Sequence, residues 1–218
     1  NHEEDAYTVF ESVNAKGAAL TLADILKNMI FRRLKPETKD GDFAQDQWDI
    51  IHENLESTGF SMSKFIRYHW LSKYDFLTES KLYDAIKHKL DREKTLTWKQ
   101  FLDDLVNDSL SLKILKNPEP SNFSNTKSPR RVVDALNAIS SMGVSQCYVL
   151  LLAINRNLSM KVKWERDIEF LEKFCFNYHA VGKLQAVRVE KRYSHFARQI
   201  EAINLLQKEN RAGGLEEE

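Results

Sequence analysis

The chain has 218 residues, 42% hydrophobic and 29% charged, with 32 Lys+Arg against 32 Asp+Glu. That composition supports a folded core and excludes a disordered chain, and its zero net charge excludes a generally basic surface while leaving room for a local basic face. No apolar run approaches the roughly 20 residues that span a bilayer, and 7 glycines and 4 prolines are too few to punctuate a β-sandwich or an α/β fold, so helices are expected.

The opening NHEEDAY is polar and acidic, without an initiator Met or a signal-peptide pattern. The expectation is a piece of a longer cytoplasmic protein with no membrane contact. Ala6, Val9, Phe10 and Val13 then fall at i, i+3, i+4 and i+7, one face of a helix. Asn14 and Gly17 tolerate left-handed backbone and end it. Thr21 opens a second helix, with Asp24 three residues on as a capping-box partner and Leu22, Ile25, Leu26 and Met29 as its apolar face. Arg32 and Arg33 close it with positive charge at the favourable end.

KPETKDGDF (35–43) is a polar loop. Helices follow at 44–56 (Trp48, Ile51 and Leu55 inward), at 62–72, and after Thr78 with Leu82, Ala85, Ile86 and Leu90 in register. A further amphipathic segment covers 97–115, with Phe101, Leu102, Leu105, Val106 and Leu112. The stretch 117–130, NPEPSNFSNTKSPR, holds three of the four prolines and marks a surface loop or a hinge. Four more helices are expected at 131–142, 145–155, 164–178 and 184–206. Val189, Tyr193, Phe196, Ile200 and Ile203 form a seam along the last, and the tail from 208 is expected to fray. The organisation is all-α, a multi-helix bundle: a helical region 1–116, the loop 117–130, a helical half 131–207 and the tail 208–218.

Chemistry-bearing motifs are scarce. There is no nucleophile elbow, no reactive-Cys motif and no glycine-rich phosphate loop ahead of a helix. The six histidines show no HxxxH pattern, so no metal site and no cofactor are expected in this chain. Cys147 and Cys175 sit in apolar helical contexts and are expected as buried free thiols. Whether two carboxylates converge cannot be seen from single helices.

Two stretches interleave basic and aromatic residues. KFIRYHWLSKY (64–74) carries Lys64, Arg67, His69 and Lys73. VGKLQAVRVEKRYSHFARQ (181–199) carries Lys183, Arg188, Lys191, Arg192, His195 and Arg198. On a helix Arg188, Lys191, Arg192 and His195 share one face opposite the Val189/Phe196 seam, and with Lys183 they are candidate DNA-phosphate contacts. An ordinary solvated face is the alternative.

The residues Ala6, Phe10, Glu11, Asn14, Gly17, Leu20, Thr21, Asp24, Lys27 and Asn28 spell A-x-x-x-F-E-x-x-N-x-x-G-x-x-L-T-x-x-D-x-x-K-N. This pattern resembles the end of the domain-of-unknown-function family 262, the GmrS-like module of GmrSD-type modification-dependent restriction proteins. FIRYHW (65–70), KLYDAIK (81–87) and the stretch 170–197 resemble the helical region that follows in such proteins, more loosely. The resemblance implies a missing N-terminal domain with an Asp-Gly-Gln-Gln-Arg motif that handles a nucleoside triphosphate with a divalent metal. It also implies, in many members, a C-terminal HNH nuclease with a His-x-x-Pro signature. Neither motif is present here, since Asp40-Gly41 is followed by Asp42 and Phe43.

The implied role is therefore a non-catalytic helical coupling region of a nucleotide-regulated, DNA-targeting, phage-defence type protein. In that setting Asn14 and Lys27 are candidates for the edge of the nucleotide pocket, with Asp24 orienting Lys27, while Phe10, Gly17, Leu20 and Thr21 shape the corner. The alternative is a helical scaffold for protein–protein contact or oligomerisation without nucleic acid.

Overall fold

The computed structural model describes residues 20–34, 43–93, 96–157, 164–177 and 186–213, with side chains left aside at 164, 165 and 207–213. Phe10, Asn14, Gly17 and Lys183 therefore lie outside the described residues. Among those described there are nine α-helices and no strand: α1 Leu22–Arg33, α2 Phe43–Glu56, α3 Met62–Lys73, α4 Glu79–Lys87, α5 Trp98–Lys116, α6 Pro129–Ser141, α7 Tyr148–Arg156, α8 Trp164–Cys175 and α9 Ala186–Gly213. A π-helical turn, His88–Glu93, extends α4, and a 3-10 turn, Pro120–Phe123, interrupts the proline-rich connection.

The caps explain where the helices begin. Thr21 and Asp24 form a reciprocal capping box at α1, and Thr97 and Gln100 form another at α5. Each satisfies backbone N–H groups that the first turn cannot pair within the helix, at about 1 kcal/mol apiece. Ser61 caps α3 from its side chain, whereas Thr78 sits at the start of α4 without a side-chain cap bond. The tight corner between α6 and α7 passes through Gly143 at φ 69°, a left-handed conformation that glycine adopts without a Cβ penalty.

The helix α3 is the centre of the molecule. Phe65, Ile66, Tyr68, His69, Trp70, Leu71 and Ser72 are all buried, so it is covered on every side rather than along one stripe. Helices α1, α5, α7 and α9 pack around it, α2 lies along α5, and α6 pairs with α8. One hydrophobic cluster runs from Leu22 in α1 to Ala197 in α9, through both halves of the chain.

The stretch 117–130 does not part that cluster. Phe123 is buried, and the 3-10 turn carrying it packs on α6. Asn117 Nδ2 donates to the Ser57 carbonyl at 3.2 Å, tying the stretch back to the end of α2. The last helix also differs from expectation at both ends of its pattern. It continues as helix to Gly213, beyond the expected end at 206. Its buried stripe is Val189, Glu190, Tyr193, Ser194 and Ala197, while Phe196 and Ile203 of the expected seam are exposed.

Candidate functional site

A helix buried on every side must satisfy its own polar groups, and α3 does so through three partners. The central one is a buried charge network. His69 Nδ1 lies 2.6 Å from Asp108 Oδ2 of α5. The Arg156 guanidinium of α7 reaches the same carboxylate oxygen through Nη1, Ser72 Oγ through Nη2 at 2.8 Å, and Glu201 of α9 through Nε at 2.8 Å. Four helices thus share one set of charges, buried at His69 and Asp108 and largely buried at Arg156 and Glu201, where an unpaired member would be costly.

The protonation states follow from the geometry. Burial works to raise the Asp108 pKa, but the Arg156 charge and the hydrogen bonds from Arg156 and His69 outweigh it and hold the carboxyl at about 2. Asp108 is then ionised and can only accept, so His69 donates through Nδ1. Burial in turn lowers the His69 pKa against the pull of Asp108. Its Nε2 has no hydrogen-bond partner and the ring meets Phe101 edge-on at 5.7 Å. A neutral imidazole leaves that nitrogen as a lone pair, whereas a second proton there would have nothing to bond. The Asp–His pair resembles half of a catalytic triad, yet both side chains are sealed from solvent, so it works as a core clamp.

The second partner is bidentate. Arg67 Nη1 and Nη2 each lie 2.7 Å from an oxygen of Glu190 in α9, and Nη2 also donates to the Leu77 carbonyl at 3.2 Å. The third is Ser194, whose Oγ donates to the Leu71 carbonyl at 2.9 Å. Lys73 pairs with Asp104 of α5, and Lys64 Nζ sits over the Phe60 and Tyr68 rings at 4.7 and 5.6 Å. All four basic residues of the 64–74 stretch are therefore engaged internally, which withdraws that stretch as a nucleic-acid surface.

The corner at α1 is likewise accounted for locally. Asp24 Oδ2 accepts from Thr21 N at 2.9 Å and Thr21 Oγ1 at 2.7 Å. Lys27 Nζ lies over the Phe31 ring at 5.2 Å. Asp24 thus closes the cap, and its hydrogen bonds run to Thr21 rather than to Lys27. Leu20 is half-buried beside it. Asn14, the proposed companion of Lys27, lies outside the described residues.

The basic row of α9 is exposed as the helical spacing requires: Arg188, Lys191, Arg192 and His195 all face solvent. Lys191 Nζ stacks over Phe76 at 5.2 Å, and the His195 ring contacts Phe196. Among the described residues none of the four forms an ion pair with a carboxylate. Arg198, one turn on, pairs with Asp75. A cavity of about 500 Å³ opens beside this row, between α7, α8 and α9.

Cys147 and Cys175 are buried free thiols, as expected. Cys147 Sγ donates to the Val144 carbonyl at 3.1 Å, and Cys175 Sγ lies 3.4 Å from the Tyr193 hydroxyl. No group of three or more His, Cys, Asp or Glu among the described residues could hold a metal ion, and no described helix is long and apolar enough to cross a membrane.

Sequence reasoning missed the clamp residues Asp108, Arg156, Glu190 and Glu201. A signal existed for α9: Glu190, Ser194, Ala197 and Glu201 recur at i, i+4, i+7 and i+11, a polar and small stripe on the helical period. A search for apolar periodicity passes over it. Comparison with known protein families, curated proteins and solved structures gives no match to this chain.

Proposed function

We propose that this chain is a helical coupling module of a DNA-targeting protein of the GmrSD type, acting by docking rather than by chemistry, with α9 as its contact to the DNA backbone. The observation that carries the reading is the row Arg188, Lys191, Arg192 and His195, exposed and without carboxylate partners among the described residues. Lysine and arginine in such a row bind phosphates by charge and counterion release, without reading base sequence. The clamps Arg67–Glu190 and Arg156–Glu201 hold α9 on the bundle, so the row is presented on a fixed support. The resemblance of the α1 corner to the restriction family supplies the DNA-targeting context, and a nucleoside triphosphate with its divalent metal belongs to the N-terminal domain expected in the parent protein. The sealed His69–Asp108 pair is out of reach of a substrate.

The test is binding of a short duplex DNA to the 218-residue chain across a salt series. With three to four phosphates neutralised, the logarithm of the affinity should fall against the logarithm of salt with a slope of about −3. The double variant Arg188→Glu, Lys191→Glu should abolish retention at low salt while leaving helicity unchanged. Retention that ignores both salt and charge reversal, or no retention at all, overturns the DNA reading. The second reading, a protein-interaction scaffold, is favoured by a separate observation: Phe170, Phe196 and Ile203 stand exposed around the cavity between α8 and α9.

A further inference from the structure

Helix α9 packs on α7 and α8 packs on α6, and α8 and α9 do not lie backbone on backbone. They meet where the Phe174 and Tyr193 rings approach to 6.0 Å. Between them lies the cavity of about 500 Å³, floored by Leu150 and Ile154 of α7 and walled by residues of α8 and α9. On α9 the lining extends from Arg192 to Ile203, three turns of helix or ~16 Å. Its walls are apolar and stand in solvent: Phe170 is 70% exposed, Ile203 54% and Phe196 46%.

The charged residues that line the groove are the cations Arg166 and Arg192 and the anion Asp167. Arg192 has no carboxylate partner among the described residues, and Arg166 has only Asp167, at 3.7 Å. Arg188, Lys191 and His195 extend the positive charge along the exposed side of α9.

The geometry points to this groove as the docking site for an amphipathic helix of a partner protein, one whose apolar face is flanked by acidic residues. A slot three turns long between two helices, with a third helix as floor, is long enough to take the apolar ridge of a three-turn helix. Its walls expose aromatic and aliphatic side chains that an inserted helix would cover at i, i+3, i+4 and i+7. The arginines at its margin complement carboxylates and repel a basic flank. The inference shares the basic row of α9 with the DNA reading and differs from it in the apolar walls of the groove.

The test uses a fluorescein-labelled 16-residue designed peptide, with leucines at helical i, i+3, i+4, i+7 spacing and glutamates on both flanks. A lysine-flanked copy and a copy with a central proline serve as controls. Anisotropy with the 218-residue chain should give micromolar binding of the glutamate peptide, at least tenfold weaker binding of the lysine copy, and none of the proline copy. Phe170→Ser and Ile203→Asp lie on opposite, exposed walls and should each weaken binding at least tenfold. Duplex DNA binding should be unchanged in both variants, whereas Arg188→Glu should weaken binding of both DNA and the glutamate peptide. The proposal is overturned if the glutamate peptide fails to bind or binds both wall variants as it binds the parent chain. It is equally overturned if the chain sediments as a dimer that Ile203→Asp dissolves, since a second copy then fills the groove.

Discussion

The imidazole of His69 sits where one proton is welcome and a second is not. Burial lowers its pKa, so the native state binds a second proton less readily than the unfolded chain, in which histidine titrates near its ordinary value of about 6.5. For a pKa lowered on folding, stability is present above the unfolded value and is lost as the pH falls. The folded chain should therefore weaken as the pH drops below about 6.5, well before its carboxylates titrate. Asp108 adds a second, lower limb. Burial opposes its ionisation, Arg156 and His69 prevail, and the pKa falls from 3.8 to about 2, so its contribution is lost between about pH 4 and pH 2. Urea unfolding midpoints measured from pH 7.5 to pH 2.5 should show both limbs, and His69→Gln should flatten the upper one alone. An unchanged slope between pH 6.5 and 5 in the variant would remove His69 as its source.

Among the elements, α9 depends most on polar contacts. Its apolar buried residues are Val189, Tyr193 and Ala197, and Glu190, Ser194 and Glu201 bond it to α3 and α7. Removing one carboxylate leaves a largely buried guanidinium without its counter-charge, which costs more than the lost contact. Glu190→Ala should destabilise the chain by about 2 kcal/mol. It should also raise amide exchange across residues 186–200 by at least tenfold, while α2 and α5 keep their protection. Equal acceleration in α2 would mean that α9 opens only with the whole bundle. By contrast, α2 and α5 pack along each other with Trp48, Ile51 and Leu105 buried, and Asn54 adds polar cross-links to Ser109 Oγ at 3.1 Å and Lys113 Nζ at 3.4 Å.

Across the whole molecule, the shared core decides how the chain unfolds. Helices on both sides of the 117–130 stretch pack on α3, and a single hydrophobic cluster joins them. The chain should accordingly show one calorimetric transition, with the van't Hoff and calorimetric enthalpies equal. Phe123→Ala should lower that single transition by about 3 kcal/mol of stability rather than split it in two. Two resolved transitions would restore the hinge reading of the proline-rich stretch. The same arrangement places the basic row of α9 and the groove beside it on one rigid support.

Much of this was legible in the chain itself. Helix existence, the Thr21 and Thr97 starts, the inward Trp48, Ile51 and Leu55, the two buried thiols and the exposure of Arg188, Lys191, Arg192 and His195 all follow from local spacing and capping, because those forces act within one or two turns. What the tertiary structure decided is the fate of polar residues on buried faces. Arg67 and Glu190 stand 123 positions apart, and Asp108 is 39 from His69 and 48 from Arg156, so no periodicity links them. The basic-aromatic stretch 64–74 looked like a surface because it is charged, and it became the centre because its neighbours carry the opposite charges. The sequence determined which helices form; only their packing determined which charges face inward to hold the bundle and which remain outside to meet a partner.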